Sequence, residues 1–332
     1  MSSTGGTGAT TGAHGGRAVP PATPVGVLVM AHGTPARPED IGDFYTRIRR
    51  GRPPSAEQLA DLERRYAAIG GTSPLAARTQ AQVAGIAAQL EASSPGGYVV
   101  RHGAKHIAPL IEDAASALGA EDVAQVVGVV LAPHRASLGS DEYHERAERA
   151  LETSDSKARY VRVDQWYDTP GFAELLAERV RAALGTLPDR VGRRTVLFTA
   201  HSLPERVLAS GDPYPDQVRA SAELVAEAAR LDDAGVGWQV AWQSAGRTPE
   251  PWIGPDVLGE LRRLADGGVE GVVVCPVGFV ADHLEVLYDV DIEARGVAEA
   301  AGMAFARTSS FDDDPRFCAV VARAIRQAAE HD

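Results

Sequence analysis

Val27-Leu-Val-Met-Ala-His32-Gly-Thr-Pro35 and Val196-Leu-Phe-Thr-Ala-His201-Ser-Leu-Pro204 are two stretches of the chain that share one pattern. Each is an apolar run typical of a buried strand, followed by Ala-His-x-x-Pro, which is typical of a turn at the end of a strand. A second pair, Val129–Pro133 and Val273–Pro276, is also similar but one residue out of step. The repeat predicts two similar lobes, and the alternative is a chance similarity between short strands.

Short apolar runs alternate with longer amphipathic, alanine-rich stretches from Val25 onward. The predicted strands are Gly26–Met30, Tyr98–Arg101, Val126–Leu131, Tyr160–Asp164, Thr195–Thr199, Trp238–Trp242, Gly271–Cys275 and Ala304–Arg307. The predicted helices include Ala56–Ala68, Leu75–Ala92, Asp141–Glu152, Pro215–Ala229 and Pro315–Glu330. Strands that are apolar throughout, alternating with helices, are typical of parallel sheets covered on both faces. We therefore predict an α/β protein of two Rossmann-like lobes, each a roughly four-stranded parallel sheet flanked by helices, with a cleft between them.

The lobe boundaries follow from composition. Residues 1–24 are rich in Gly, Thr, Ser, Ala and Pro, cannot form a core and are predicted to be a disordered tail without a secretory signal. The break between lobes is expected near Leu187–Arg194, a stretch with proline and charged residues. This places the lobes at residues 25–190 and 191–332, and the C-terminal helix is predicted to pack back on the first lobe.

Composition excludes several classes of protein. The chain has 332 residues, 44% of them hydrophobic and 23% charged, which is ordinary for a soluble globular protein. A net charge of -12 disfavours nucleic-acid binding. Its two cysteines exclude a disulfide framework and a four-cysteine cluster within one chain, so the cytoplasm is the expected compartment. The longest apolar runs fall far short of the ~20 residues of a membrane helix.

His32 and His201 both follow predicted central strands. Ligands of open α/β sheets bind beyond the carboxyl ends of the strands, so two related lobes would aim both histidines into one cleft. A histidine presented there can act as a base or as a ligand for Fe²⁺, Zn²⁺ or Co²⁺. The alternative is a loop histidine that hydrogen-bonds only to the backbone.

A line of carboxylates follows the predicted strand Gly271–Cys275. On a helix, Glu285, Asp289 and Glu293 would share one face, and stacked like charges that face inward can conduct protons or cations. At least one of them is expected to have a raised pKa. An acidic face exposed to solvent is the alternative interpretation.

Five basic residues lie in a short N-terminal window of this acidic chain, within Arg49–Arg52 and Arg64–Tyr66. Arginine forks match carboxylates and phosphates in a bidentate manner, so a ligand with several carboxylates would suit them. Surface solubility is the alternative. Gly-x-Gly-x-x-Gly after the first strand and the Walker A pattern are both absent from the sequence, which argues against nucleotide binding.

Together these motifs resemble the ferrochelatases, and specifically the soluble coproporphyrin ferrochelatases of Gram-positive bacteria. The resemblance runs from Val25 to the C-terminus. The motifs that carry it are Met30-Ala-His-Gly-Thr-Pro35, Ile48-Arg-Arg-Gly-Arg52, Arg65-Tyr66, Ile69-Gly-Gly-Thr-Ser-Pro-Leu75, Lys105-His-Ile-Ala-Pro109, Ala200-His-Ser-Leu-Pro204, Gly211-Asp-Pro-Tyr-Pro215, Trp242-Gln-Ser244, Trp252-Ile-Gly-Pro255 and Val277-Gly-Phe-Val-Ala-Asp-His-Leu-Glu285. Their number and order make the resemblance more specific than any single motif.

The resemblance implies the chelatase fold and the insertion of Fe²⁺ into a porphyrin with release of two protons. It implies that His201 and Glu285 face each other across the cleft as the metal-delivering, proton-accepting pair, and that Asp289 and Glu293 continue a proton or metal path outward. The positions implied to hold the porphyrin are His32, Arg49, Arg65, Tyr66, Ser73 and Tyr143, with Lys105 and His106 near the cleft.

Further expectations come from the same resemblance. Fe²⁺ is a substrate, no cofactor is tightly bound, and no [2Fe–2S] cluster is expected because the cysteines are too few. The substrate is coproporphyrin III, the product passes to a coproheme decarboxylase, and the enzyme is a monomer that contacts neither membrane nor nucleic acid. The polar stretch Ala36-Arg-Pro-Glu-Asp40 replaces the membrane-docking lip of animal-type enzymes.

One departure and three alternatives stay open. Relatives usually carry tyrosine where this chain has His32. Residue 32 is still expected to be an axial ligand of product iron, with an imidazole nitrogen in place of the tyrosine oxygen. The alternative activities are a protoporphyrin IX ferrochelatase, a chelatase that inserts cobalt or nickel into another tetrapyrrole, and a haem carrier or sensor without insertion activity.

Overall fold

The computed structural model describes residues 23–246 and 248–330. The predicted disordered tail, residues 1–24, lies outside this range except for its last two residues. The strands are β1 (Val25–Ala31), β2 (Tyr98–Ala104), β3 (Gln125–Val130), β4 (Arg159–Val163), β5 (Arg194–His201), β6 (Gly237–Gln243), β7 (Gly271–Cys275) and β8 (Ala304–Arg307). All eight predicted strands are therefore confirmed, with ends shifted by a few residues.

The helices between the strands are α1 (Ile41–Ile48), α2 (Ala56–Ala68), α3 (Leu75–Ser93), α4 (Ile111–Gly119), α5 (Ser140–Thr153), α6 (Phe172–Leu184), α7 (Arg206–Ala209), α8 (Tyr214–Ala229), α9 (Val257–Asp266), α10 (Leu284–Leu287), α11 (Arg295–Ala300) and α12 (Pro315–Glu330). A 3₁₀ turn spans Pro38–Asp40 and a π-helix spans Asp289–Ala294. Helix α2 begins at a capping box, in which Ser55 and Gln58 each accept the other's backbone N–H. No helix in the described part of the chain is both long and apolar enough to cross a bilayer.

Two four-stranded parallel sheets form the framework, in the orders β2-β1-β3-β4 and β6-β5-β7-β8. The two orders are equivalent, which confirms the predicted α/β class with two similar lobes. In the first sheet, β2 lies on one side of β1, and β3 and β4 lie on the other side. In the second sheet, β5 has β6 on one side and β7 and β8 on the other. The direction in which strands are added therefore reverses at β1 and at β5. Ligands of such sheets bind at this point, and His32 and His201 stand there.

An aromatic core joins the two sheets. Helix α6 packs against β7, β8 and α8, whereas α12 packs against α3, β3 and β4 of the first sheet. Between them, the rings of Phe311 and Phe317 stack with centroids 4.8 Å apart, and Trp166 meets Phe172 edge to face at 5.3 Å. The same core cluster includes residues of β1 and β5, so the two strands that lead to His32 and His201 pack against one shared core.

We expect Phe317→Ala to lower the free energy of unfolding by about 3–5 kcal/mol, because a fully buried ring on α12 would leave a cavity between the sheets. Denaturant titration followed by circular dichroism measures this. Leu224→Ala, at a 39% exposed position on α8, is the control and should change stability by less than about 0.5 kcal/mol. Equal effects of the two substitutions would contradict this account of the core.

Candidate active site

His201 is the last residue of β5, and its ring orientation is fixed by its own loop. The Nδ1 atom lies within hydrogen-bond distance of the Ser202 carbonyl. Because a carbonyl can only accept, Nδ1 must carry the proton, and Nε2 is the nitrogen that remains available for chemistry. The Tyr214 hydroxyl donates to the His201 carbonyl at 3.1 Å and holds the strand end in place.

Glu285 is brought to His201 by the loop that follows β7. At Gly278 this loop passes so close to β5 that a Cβ atom would lie 2.8 Å from the Cβ of Ala200, so only glycine fits. Buried Gln243, at the end of β6, donates from Nε2 to the Glu285 carbonyl at 2.8 Å and accepts from the Thr199 hydroxyl at 2.7 Å. These contacts fix the Glu285 backbone to the carboxyl edge of the second sheet.

The Glu285 carboxylate lies between two imidazoles. One oxygen is 3.6 Å from Nε2 of His201, and the other is 3.6 Å from Nε2 of His283. Like His201, His283 has Nδ1 directed at a backbone carbonyl, that of Ala281 at 3.0 Å. Both rings therefore present the same nitrogen to one carboxylate.

The pKa values of His201 and Glu285, the predicted catalytic pair, are shifted in opposite directions. Burial disfavours the charged imidazole, but the facing Glu285 carboxylate outweighs burial and raises the pKa of His201 to about 9. Burial would raise the pKa of Glu285, yet His201 and then His283 hold it well below its usual range. Near neutral pH the pair is thus an imidazolium facing a carboxylate, and a metal ion would have to displace that proton.

His32 directly follows β1 and belongs to the first lobe. Its Nδ1 atom is 3.1 Å from the Gly33 carbonyl, and Gly33 adopts a left-handed conformation at φ +84° in a space that a Cβ would not fit. The ring opens into a cavity of about 970 Å³ and lies 4.7 Å, centroid to centroid, from the ring of His106. Removal of surrounding water lowers the pKa of His32, and the Glu285 carboxylate acts against this shift.

This arrangement corrects one expectation. His201 and Glu285 were predicted to face each other across the cleft, but both belong to the second lobe and approach each other at one sheet edge. The group that faces them from the first lobe is His32, whose pKa responds to both Glu285 and His283. Glu285 therefore interacts with histidines of both Ala-His turns, by contact with His201 and electrostatically with His32.

The regular α-helix expected for the carboxylate line is not formed. After the short helix α10 the chain widens into the π-helix, in which the Glu293 amide donates to the Tyr288 carbonyl, five residues back, at 3.0 Å. Burial first, then Glu285, raises the pKa of Asp289 to about 6, with Glu293 adding to the shift. Asp289 therefore lies close enough to both Glu285 and Glu293 to be influenced by them in spite of the changed helix.

Asp289 also connects the lobes. The guanidinium of Arg65, on α2, forms an ion pair with Asp289 at 3.2 Å and lies over the ring of Tyr288 at 5.0 Å. The Ser244 hydroxyl donates to the other oxygen of Asp289 at 2.5 Å, and Ser244 has φ +59°, an unusual value for a residue with a side chain. Arg65 and Ser244 both act to lower the pKa that burial raises.

The other predicted porphyrin residues divide into two groups. Tyr66 and Tyr143 are buried, and burial first, with a smaller contribution from Glu285, raises the pKa of each hydroxyl. The Tyr66 hydroxyl is 3.1 Å from the Thr34 hydroxyl. Arg49 lies further out, over the ring of Tyr45 at 5.7 Å. Ser73 accepts a hydrogen bond from the Leu75 amide at the start of α3.

His283, Gln243 and Ser244 are site residues whose roles the sequence analysis did not assign. The first stands two residues before Glu285, and the other two follow a predicted strand, so position alone could have suggested them. What the sequence does not show is that the Glu285 carboxylate is shared between His201 and His283 while Gln243 holds the Glu285 backbone carbonyl.

Comparison with known proteins agrees with this geometry. The sequence model of the family described as Ferrochelatase matches residues 24–329. A coproporphyrin III ferrochelatase of Geobacillus kaustophilus is 45% identical over 313 residues, covering 92% of this chain and 97% of that protein. The coproporphyrin III ferrochelatase of Bacillus subtilis is 41% identical over 304 residues, covering 91% and 96%.

Solved structures share the fold at low sequence identity. SirB from Bacillus subtilis with Fe³⁺ aligns with a TM-score of 0.54 and 15% identity, covering 93% of this chain and 96% of that one. CbiX, described as the terminal enzyme of sirohaem biosynthesis in denitrifying bacteria, aligns with a TM-score of 0.52 and 17% identity, covering 91% and 99%. From the family match and the identities of 41–45%, the chain belongs to the ferrochelatase family.

Proposed function

We propose that this protein inserts Fe²⁺ into coproporphyrin III and supplies iron coproporphyrin III for haem synthesis. The observation that carries the proposal is the Glu285 carboxylate between the Nε2 atoms of His201 and His283, with His32 facing it from the other lobe. Relatives that cover nearly the whole chain carry the same activity in their names, which supports the choice of substrate.

The reaction exchanges two pyrrole protons for one metal ion, so the site must both supply a metal ligand and remove protons. Neutral imidazole and carboxylate are suitable ligands for Fe²⁺ during delivery. His201 and Glu285 hold a shared proton before the metal arrives, and they release it when the metal binds. Once the metal moves into the macrocycle, the neutral His201 is free to accept one pyrrole proton and Glu285 the other.

Asp289 and Glu293 provide the next positions for that proton. Asp289 has a pKa of about 6, close to the operating pH, so it can both accept and release a proton. The buried Asp289 and the partly exposed Glu293 lead from the catalytic cluster toward solvent. We assign this line to proton transfer.

The porphyrin would lie between His32 and the catalytic cluster. In the neutral ring of His32, Nδ1 donates to Gly33 and Nε2 keeps its lone pair, so it can ligate product iron where relatives carry tyrosine. Tyr66 and Tyr143 line the first-lobe side, and Arg49 and Arg65 are the proposed partners of propionates. For Arg65 a propionate must compete with the existing ion pair to Asp289.

Location, assembly and product transfer belong to the same proposal. Cys275 and Cys318 are buried free thiols, and burial raises their pKa values to about 12 and about 11, so they stay protonated and are poor cluster ligands. Free thiols suit the reducing cytoplasm. We propose a cytoplasmic monomer without an iron–sulfur cluster that delivers its product to a coproheme decarboxylase.

Anaerobic insertion assays with coproporphyrin III and with protoporphyrin IX, followed through the Soret band, test the activity. Rapid turnover of coproporphyrin III is expected. Absence of turnover with both porphyrins, together with tight uptake of iron coproporphyrin III, would overturn the proposal in favour of a haem carrier.

We expect Glu285→Gln to lower kcat by about 10²-fold or more, since the proton acceptor is lost while the shape is kept. The pKa of His201 should also fall from about 9, because the carboxylate that opposes burial is lost, and NMR titration of the ring measures this. Glu299→Gln, at an exposed position on α11, is the matched control and should leave both quantities unchanged. A rate within about threefold of the parent would contradict the role of Glu285.

The pH dependence of kcat should report Asp289. Its carboxyl group is protonated below a pKa of about 6 and cannot then accept a proton, so kcat should rise with pH through that value. In Asp289→Asn this limb should disappear and kcat should fall by about tenfold or more. An unchanged limb in the variant would assign the titration to another group and remove Asp289 from the proton path.

A further inference from the structure

Helix α3 of the first lobe reaches the loop of the second lobe that leads to Glu285. Residues 276–283 connect β7 to α10 and form this Glu285 loop. Gln82 lies near the middle of α3 and is 1% exposed. Its Nε2 atom donates to the Val280 carbonyl at 3.1 Å and to the Asp312 carbonyl at 2.8 Å. One first-lobe side chain thus holds two backbone groups of the second lobe.

The orientation of the Gln82 amide follows from its partners. Both partners are carbonyl oxygens, which only accept hydrogen bonds, so the amide nitrogen must face them. The Oε1 atom is buried and has no hydrogen-bond partner among the described residues. A buried oxygen without a partner destabilises a fold, so Gln82 is poorly explained as a residue that only stabilises the core. What its amide supplies is a fixed position for two carbonyls.

The two carbonyls belong to segments that are already fastened to each other. The Asp312 amide donates to the Val280 carbonyl at 3.1 Å, and the Asp282 amide donates to a carboxylate oxygen of Asp312 at 3.2 Å. Asp312 adopts a left-handed conformation, with φ +48°, and its carbonyl accepts from Gln82. Gln82 therefore contacts one joined unit, the Glu285 loop together with the segment that follows β8.

The Glu285 loop transmits this contact to the chemistry over a short distance. The residue after Val280 is Ala281, whose carbonyl lies 3.0 Å from Nδ1 of His283 and orients that ring. Nε2 of His283 is in turn 3.6 Å from a carboxylate oxygen of Glu285. A shift of the Val280 peptide would therefore move both side chains relative to His201.

Two anchors hold the Glu285 loop, and they come from different lobes. The Gly278 amide donates to a carbonyl of β5 at 3.2 Å, and two residues later Gln82 holds Val280. Helix α3 is itself closely seated on α12, because a Cβ atom at Gly85 would lie 2.5 Å from Sγ of Cys318. The second anchor is therefore fixed by the same packing that joins the two sheets.

We propose that Gln82 is a positioning residue for metal insertion, through which the first lobe sets the place of His283 and Glu285 in the second lobe. Gln82 acts through the Glu285 loop and not by contact with metal or porphyrin. This inference rests on the proposed function, because it concerns the geometry of the group that serves that reaction. It makes the distance between Glu285 and His201 depend on how the lobes dock.

Gln82→Met tests the proposal, since methionine has a similar length and shape but no hydrogen-bond donor. We expect kcat to fall by about tenfold, because misplaced catalytic groups react more slowly, while KM for the porphyrin changes by less than about threefold. The pKa of His201 should fall from about 9, because a displaced Glu285 carboxylate opposes burial less strongly. NMR titration of the ring measures this shift.

Two further variants make the test specific. Leu90→Ala is the control for a purely structural effect, since Leu90 is fully buried about two turns further along α3 and leaves a cavity when truncated. It should lose stability in denaturant titration but keep kcat and the pKa of His201. Gln82→Asn keeps the amide on a side chain too short to hold both carbonyls. It should change both quantities in the same direction as Gln82→Met but less, and it replaces that variant if methionine prevents folding.

The outcomes separate this inference from the proposed function. A folded Gln82 variant with unchanged kcat and an unchanged His201 pKa would overturn the positioning role. Equal changes in Leu90→Ala would also overturn it, because any loss of stability would then have the same effect. A parent that inserts no iron, together with a lowered His201 pKa in Gln82→Met, would overturn the proposed function and leave the positioning role standing, since the titration needs no turnover.

Discussion

The contact between one carboxylate and two imidazoles is the interaction around which the site is organised. Glu285 keeps its charge in a partly buried position because Nε2 of His201 and Nε2 of His283 each lie 3.6 Å from one of its oxygens. Both rings can do this because a backbone carbonyl already engages Nδ1, and His32 shows the same arrangement with the Gly33 carbonyl. The backbone therefore decides which nitrogen of each histidine is reactive, before any ligand arrives.

The fold exists to bring these turns together. Parallel strands end at the same edge of a sheet, so β1 and β5 each place a histidine at the point where the strand order reverses. The core that includes α6 and α12 holds the two sheets together. The close approach at Gly278 then sets the distance between the Glu285 loop and β5. A methyl group at position 278 would push the Glu285 carboxylate away from His201, although Gly278 and Glu285 are seven residues apart in the chain.

Local pattern was sufficient to predict the strands, because buried parallel strands are apolar throughout and bounded by turns. It also placed His32 and His201 at strand ends and Glu285 in the segment that follows the strand Gly271–Cys275. It could not predict the π-helix, because the shift to a hydrogen bond five residues back, from Glu293 to Tyr288, leaves no periodicity in the sequence. It also could not show that Arg65 pairs with Asp289, since that contact joins residues of different lobes and depends on how the lobes dock. The same limit explains why His201 and Glu285 were expected on opposite walls.

Cationic side chains are concentrated locally, although the chain as a whole is acidic. An acidic protein repels a tetracarboxylate substrate at long range, so binding must rely on local cations that are free to reach it. Arg65 and Arg146 are already neutralised by Asp289 and Glu112, and their guanidinium groups stabilise the lobe contact and the wall of the cavity beside His32. Arginines without strong internal partners are the ones that can exchange water for propionate at little cost. The distinction between paired and unpaired arginines, rather than their number, is therefore what the structure adds to the basic motifs of the sequence.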